Sequence, residues 1–410
     1  MSEAPPLAGE AGADVAVIGA GFAGLVAALE LAEAGRAVVL LEAGPLGANA
    51  SAASAGQIGP LFYGARKTPA QVAAKLGPAR ADRLHRRVAG SGDWLFDRIA
   101  ALGIDCGARR GFLAVYRSER SLARAAADFA QWDGHGGLWE RRGRDDVARA
   151  IRSTRYAGGI FLPQGGILDP VRLLEGLART AVAAGVRIHP GSRVETLRQS
   201  GDRWTVGTAD GRVNARFVLV ATGSAGLPAW PGLDRTVYAA PVGIAVTAPL
   251  PDRGAGLLPG GGPVADLDDK AIFAPAITED GRLSMSFLMS GAAADLARSP
   301  APARRRLARV FPGRDLPPFE RLSWGRVALT PDGLPRLIRG GEGLLAVTGC
   351  NGFGLTLGVL AAREAARHIM GRAPAALALP LSEAKPLPAA RLMPALLRAV
   401  LAPLANRLGA

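Results

Sequence analysis

The residues in this 410-residue chain that most clearly point to chemistry are small rather than ionisable. Gly19-x-Gly21-x-x-Gly24 follows directly on the apolar run Val15-Ala16-Val17-Ile18 and opens a helical pattern that stops at Gly35. A second apolar run, Ala37 to Leu41, ends on Glu42. In such a unit the first glycine makes the tight turn, the second lets backbone approach a pyrophosphate, and the third lets helix pack close on strand. The helix start adds amide donors and the positive end of its dipole. Glu42, about 20 residues on, stands where a carboxylate takes the hydroxyls of an adenosine ribose. Glycines alone would be weak evidence. Strand, glycines, helix, second strand and acid in order predict a bound dinucleotide.

Two more stretches repeat the theme. Phe217 to Val220 is an apolar strand ending in Ala221-Thr222-Gly223, short residues that let backbone lie beside a nucleotide. Leu344 to Thr348 runs into Gly349-Cys350-Asn351-Gly352-Phe353-Gly354-Leu355-Thr356 and then a helix to about Met370. This again sets a helix N-terminus after a glycine turn, a place for an electron-rich ligand group. The loop from Ala43 to Gln57 is rich in Gly, Ala and Ser, with Ser51 and Ser54 suited to cover a pyrophosphate and pass beside a flat ring.

These motifs must be positioned by a fold larger than one core, because 410 residues call for two domains or one elaborated α/β domain. Hydrophobic content of 49% and charged content of 20% describe an ordinary globular enzyme. The net charge is +14, yet only four of the 49 basic residues are Lys, and no aromatic-interleaved stripe or DNA-reading motif accompanies the Arg. We read a compositional bias toward Arg, not a nucleic-acid surface. Two cysteines, Cys106 and Cys350, give no disulfide framework and fit a reducing cytoplasm. Four scattered histidines lack metal-ligand spacing, so no metal site is expected.

Residues 1–13 read as a flexible leader. Helices are expected over Pro69 to Leu76, Ala79 to Leu102, Leu122 to Trp132 and from Pro170 to about Ala184, with a strand at Gly111 to Arg117. Between 237 and 323, short apolar segments (Val242 to Thr247, Ala271 to Ala274, Arg282 to Leu288) predict an antiparallel sheet. The tail from 388 to 408 sets Leu392, Leu396, Leu397, Val400, Leu401, Leu404 and Leu408 at helical spacing with Arg391, Arg398 and Arg407 between them. Pro394 and Pro403 would start or kink this helix. Docking onto the protein itself is favoured over a membrane surface.

The motifs GAGFAGLVAALELAEAG with Glu42, ASAASAGQ, VLVATG, WGRVALTPDGLP and GCNGFGLTLG span Asp14 to about Met370. Together they resemble the FAD-dependent D-amino-acid oxidase superfamily, nearest its amine-oxidising γ-glutamylputrescine oxidoreductase and sarcosine-oxidase-like branch. The resemblance implies an α/β fold: a Rossmann-like FAD-binding domain from 14–60, 151–236 and 324–372, and an antiparallel-sheet, α+β substrate domain from 61–150 and 237–323. Residues 373–410 form the tail. Gly19, Ala20, Gly21, Phe22, Ala23 and Gly24 are expected at the pyrophosphate, with Glu42 and Ala43 at the ribose. Ser51, Ala52, Ser54, Gly56 and Gln57 pass the pyrophosphate and ring, Val194 lies near adenine, and Ala221, Thr222 and Gly223 flank the adenosine end. Gly352, Phe353, Gly354, Leu355 and Thr356 turn helix-end amides toward the flavin pyrimidine oxygen.

What this implies chemically is oxidation of the C–N bond of an amine or amino acid (a D-amino acid, a sarcosine-like compound or a γ-glutamyl amine) to an imine that hydrolyses. The alternatives are a 2-hydroxy-acid dehydrogenase on the same fold and a flavin-binding subunit without catalysis. Arg326 is expected to orient a substrate carboxylate, unless it pairs with Asp332, and Tyr63 to contact substrate, with Arg66 and Lys67 beside it. FAD is expected non-covalent, since Ala328 and Leu329 stand where some relatives carry an attachment Cys and no His lies between 19 and 60. Oxygen, a quinone or a carrier protein would accept the electrons. The implied setting is the cytoplasm, with a peripheral contact at the inner membrane face through the tail.

Overall fold

The computed structural model describes residues 4–47, 50–269, 272–290 and 295–408. Its organising element is the strand Gly9–Ile18, whose Val15, Ala16, Val17 and Ile18 are all buried. An apolar run of this kind is stable only with both faces covered, which is the situation of a central parallel strand. Val38–Leu41 pairs with it on one side and Gly211–Val220 on the other, both parallel. The nine-stranded sheet continues outward through Arg187–His189 on the first side and through Leu344–Thr348, Arg336–Gly341 and Leu381–Glu383 on the second. The strand order therefore reverses at Ile18, and the crevice at that switch point is where such sheets bind ligands.

Two smaller sheets stand over this crevice. One has the order Ala274–Ile277, Arg282–Leu288, Tyr238–Pro249, Phe319–Leu329. The other joins Val264–Asp266, Arg109–Tyr116, Gly158–Ile167 and Gln57–Ile58, with Glu140–Arg142 added on Gly158–Ile167.

Several expected boundaries move. The first strand begins at Gly9, so residues 9–13, read as leader, pair in register with Gly211 to Ala215; residues 1–3 lie outside the described residues. Strand Gly158–Ile167 pairs antiparallel with Arg109–Tyr116, which puts it in the capping sheet and not in the nucleotide sheet where a boundary at 151 placed it. The boundary at 324 falls inside one continuous strand, Phe319–Leu329, and Leu381–Glu383 extends the nucleotide sheet past 372. The helix expected over Ala79 to Leu102 is two, Pro78–Ala89 and Ser91–Ala101, parted at Gly90. The strand expected at Ala271 to Ala274 lies at Ala274–Ile277, and Ala271 itself is outside the described residues.

The tail is helical from Met393 to Leu408 through a π-turn at Leu397–Leu401. It docks by Ala402 and Asn406, both buried, and leaves Leu392, Leu396, Val400, Leu401 and Leu404 exposed. The tail thus docks onto the protein as expected, but most of its leucine row faces outward. A small residue and a hydrogen-bonded amide make the contact. Among the described residues no helix is long and apolar enough to cross a membrane.

Close backbone approach fixes the first turn. A Cβ on Gly24 would lie 1.8 Å from the Gly19 carbonyl oxygen. Gly24→Ala should therefore lose about 2–3 kcal/mol in thermal unfolding through overpacking. Gly35→Ala, at a left-handed φ of +80° that the helical Gly24 does not share but with open surroundings, should lose only about 1–2 kcal/mol. Equal losses would show that crowding at Gly24 is not what the turn requires.

Candidate active site

A cavity of about 1090 Å³ runs from Glu42 and Val194 at one end to Phe62, Phe112 and Ile272 at the other. Its length follows from the topology: it crosses the carboxyl ends of the parallel strands and then passes under the capping sheets. The nucleotide end is built from main chain. Gly19 turns with φ +105°, and a Cβ there would meet the Ala221 carbonyl oxygen at 2.9 Å, so the Ala-Thr-Gly strand end and the glycine turn touch directly. The helix Phe22–Glu33 opens at this point, and its first-turn amides have no acceptor within the helix. The Ser51 hydroxyl accepts from Phe22 N at 3.2 Å, and a Cβ on Gly21 would fall 2.8 Å from the same oxygen. Glu42 accepts from Ala20 N at 2.7 Å and from Gly44 N at 3.2 Å, leaving lone pairs on both oxygens for a sugar hydroxyl. Amide donors, a cradle that a side chain at Gly21 would fill, and a carboxylate with free lone pairs at the cavity wall suit a dinucleotide.

The other end depends on three interlocked loops. Asn351, buried and at φ 55°, accepts from Thr330 N at 2.8 Å and donates to Thr330 Oγ1 at 3.0 Å and to the Gly349 carbonyl at 2.6 Å. Asn tolerates this left-handed conformation better than most residues. Gly64 N donates to the Gly333 carbonyl at 2.9 Å, and a Cβ on Gly64 would stand 2.3 Å from the Asn351 side chain. The turn beyond Thr330 is held by Asp332, which accepts from Arg336 at 2.8 Å and pairs with Lys75. Burial raises the Asp332 carboxyl, but these hydrogen bonds outweigh it and bring it down to about 2. The helix after the glycine turn starts with a π-turn at Gly354–Gly358, and Thr356 Oγ1 donates to the Gly59 carbonyl at 3.4 Å.

Above this end lies an apolar sheet face. Ala240, Val242, Ile244 and Leu288 line the cavity, and Phe62 stacks on Phe353 with ring centroids 5.7 Å apart. The carboxylates in the wall are already satisfied. Asp266 is bonded to Arg117 at 2.8 Å and to the Tyr156 hydroxyl at 3.1 Å, and Asp269 is bonded to Arg117 at 2.9 Å. Burial pushes the Asp266 carboxyl up despite the pull of Arg117. None of the four histidines lines the cavity.

Of the residues expected at the cofactor, Gly19, Gly21, Phe22, Ala23, Glu42, Ala43, Ser51, Ser54, Gln57, Val194, Ala221, Thr222, Gly223, Gly352, Phe353 and Gly354 line this one cavity. Ala20, Gly24, Ala52, Gly56, Leu355 and Thr356 do not. Gly24 and Gly56 serve close packing, Gly56 against the Leu168 carbonyl, and the side chains of Leu355 and Thr356 turn into the core. Ala48 and Asn49 of the covering loop are outside the described residues.

Of the two residues expected to be catalytic, Arg326 is among those lining the cavity and Tyr63 is not. Tyr63 is buried outside the cavity, its hydroxyl 2.7 Å from His85 Nδ1 and its ring stacked on Trp132; burial holds that histidine down to about 4. Arg326 reaches the cavity edge, but strand alternation gives its side chain the face of Leu322 and Trp324, opposite to Gly325, Val327 and Leu329. A Cβ on Gly325 would meet Ala50 of the covering loop at 2.9 Å, which fixes the odd positions as the inner face. Asp332 pairs with Arg336 and Lys75, not with Arg326. The cation that does line the apolar end is Arg66. It stands at φ 53°, and its Nη2 donates to the Asp269 carbonyl at 3.1 Å, with no carboxylate paired to it among the described residues. Its only sequence signal was its place just after the serine loop.

Residues 14–368 match the family described as FAD dependent oxidoreductase, DAO. The chain is 31% identical over 413 residues to D-amino acid dehydrogenase of Cereibacter sphaeroides, covering 88% of this chain and 92% of that one. It is 32% identical over 209 residues to γ-glutamylputrescine oxidoreductase of Escherichia coli, a match covering 51% of this chain and about half, 48%, of that protein. Among solved structures, L-amino acid deaminase of Proteus vulgaris superposes with a TM-score of 0.73 at 23% identity, over 93% of this chain and 96% of the other.

Asn351→Ala removes the only side-chain acceptor of the Thr330 amide and should cost about 2–3 kcal/mol in thermal unfolding while weakening retention of the bound dinucleotide. Asn351→Asp keeps that acceptor but loses both donations and should do no better. A variant as stable and as fully loaded as wild type would contradict the interlock.

Proposed function

The chain belongs to the DAO family of FAD dependent oxidoreductases, so it is an enzyme with FAD as cofactor, and from that premise we propose that it oxidises the C–N bond of an amine or amino acid to an imine, which water hydrolyses. The observation that supports this most is the apolar end of the cavity, where no unpaired acid or base side chain is described. Bound FAD supplies a ring that accepts a hydride equivalent from the substrate. Everything else asked of the protein is placement. The face formed by Ala240, Val242, Ile244 and Leu288 strips water from a substrate ammonium, and desolvation favours its neutral form. A neutral amine brings its own lone pair to assist hydride departure. Preorganised amides at the start of the Gly354 helix suit the negative charge that develops opposite. Oxidising a 2-hydroxy acid would instead need a base for the hydroxyl proton. With the histidines elsewhere and Asp266 and Asp269 tied to Arg117, the amine is the better substrate.

Arg66 orients a substrate that carries a carboxylate. Its left-handed backbone is a costly conformation for a non-glycine residue, of the sort that collects at ligand sites. The cofactor is held non-covalently, since Ala328 and Leu329 offer no side chain for attachment. Its electrons pass on to oxygen, a quinone or a carrier protein.

Anaerobic mixing of the purified protein with panels of amines, D-amino acids and 2-hydroxy acids tests the reading. The yellow flavin bands should bleach with members of the first two panels and stay with the third; bleaching by hydroxy acids alone would overturn it. Arg66→Ala should raise KM for a carboxylate-bearing substrate roughly 10- to 100-fold with kcat nearly kept, the loss of one charge-assisted contact. Arg326→Ala should change neither constant. The reverse pattern would return the anchoring role to Arg326.

A further inference from the structure

We propose that the C-terminal helical tail is a docking surface for an anionic lipid bilayer, and that it sets the substrate end of the cavity against that surface. Of the eleven large hydrophobic side chains described as exposed, five lie in this short segment: Leu392 at 71%, Leu396 at 43%, Val400 at 51%, Leu401 at 40% and Leu404 at 49%. Leu392, Leu396, Val400 and Leu404 recur every fourth residue and so form one outward row. A soluble protein leaves single apolar side chains in water, not an aligned row. The row is not misplaced core. The inner side of the same helix is already fastened by Arg306 Nη2 donating to Asn406 Oδ1 at 2.5 Å, and by Asn406 Nδ2 donating to the Leu288 carbonyl at 3.5 Å.

Charge selects the occupant. From Ala384 to the last residue the chain carries Lys385, Arg391, Arg398 and Arg407 and no Asp or Glu. The helix Ala301–Val310, tied to the tail through Arg306, adds Arg305 and Arg309, both exposed. A second copy of the chain would bring this basic surface against itself. An anionic lipid surface offers the opposite charge, and a short helix with an apolar row and flanking Arg lies in the interface rather than spanning it.

The attachment leads to the cavity. Leu288, whose carbonyl receives Asn406, lines the apolar end. Arg306 also donates to the Ile272 carbonyl at 3.3 Å and pairs with Asp269, two more lining residues. A docked tail therefore places that wall at the bilayer, within reach of a lipid-dissolved electron acceptor. The docking does not depend on the amine reading; only the use of such an acceptor rests on it.

The test is flotation of the FAD-loaded protein with vesicles of phosphatidylcholine alone and with roughly a third phosphatidylglycerol. Wild type should float with the anionic vesicles at least about tenfold better than with neutral ones, and lose the preference at high salt. Leu396→Glu, Val400→Glu and Leu404→Glu combined should weaken flotation by a hundredfold or more, on the order expected for three apolar side chains. That variant should keep wild-type FAD content and turnover with a soluble dye acceptor. If it fails to load FAD, Arg391→Gln, Arg398→Gln and Arg407→Gln combined serve instead, and should remove the preference for anionic vesicles. Equal flotation with both vesicle types, unchanged flotation of the variants, or a dimer that the glutamates split without any vesicle binding would each overturn the proposal. Bleaching by amines with no flotation would refute the docking alone.

Discussion

One buried amide, that of Asn351, holds the three loops on which the reactive end of the cavity depends. It satisfies the Thr330 amide and hydroxyl and the Gly349 carbonyl at once, and Gly64 packs so close that no side chain fits between them. A buried polar group is costly unless all its bonds are made; once made, they specify a single arrangement. That arrangement brings the loop bearing Phe62 and Arg66, the turn at Asp332 and the glycine turn before the Gly354 helix to one place. The nucleotide end is fixed differently, by backbone contacts at Gly19 and Gly24 that exclude any side chain. Both ends of the cavity are thus fixed by contacts that leave no room for a side chain.

The floor of the substrate end is a second rigid unit. Arg117 bridges Asp266 and Asp269, Tyr156 caps Asp266, and Arg306 links Asp269 to the tail. Both carboxylates are almost wholly out of water, where a lone charge would be strongly destabilising and a paired one persists. Their engagement leaves this end of the cavity with an apolar face, an aromatic wall and the guanidinium of Arg66. Such a site can desolvate, orient and shield; it is poorly equipped to move protons. Chemistry in which the substrate supplies its own electron pair fits those means.

Much of this was legible in the amino-acid order. The glycine fingerprint, Glu42, the Ala-Thr-Gly strand end and the last glycine turn carry local signals, because each is a strand, a tight turn and a helix start in immediate succession. They converge on one cavity. Strand partners were not legible: nothing in Gly158–Ile167 says that it pairs with Arg109–Tyr116, and a boundary at 324 cut the single strand Phe319–Leu329. The same gap hid which face of its strand carries Arg326. Its face depends on which neighbours Phe319–Leu329 meets, and those lie some 80 residues earlier, in Tyr238–Pro249. Tyr63 shows a different limit: nearness in sequence to the serine loop does not say which way a side chain turns, and that of Tyr63 turns into the core against His85 and Trp132. The tail showed its periodicity plainly, but periodicity cannot say which side of a helix is covered.

The central claim is that the protein supplies no base for the oxidation, only a dry, oriented setting for a neutral amine. The pH dependence of the limiting rate of flavin reduction, measured in single turnover under anaerobic conditions with an amine that bleaches the enzyme, tests it most directly. The account predicts a rate that rises with pH and levels off, with a single pKa below that of the free amine because the apolar wall favours the neutral form. A bell-shaped profile, or a rising limb that stays at the same pH when amines of different basicity are compared, would assign the proton to the protein and contradict the account.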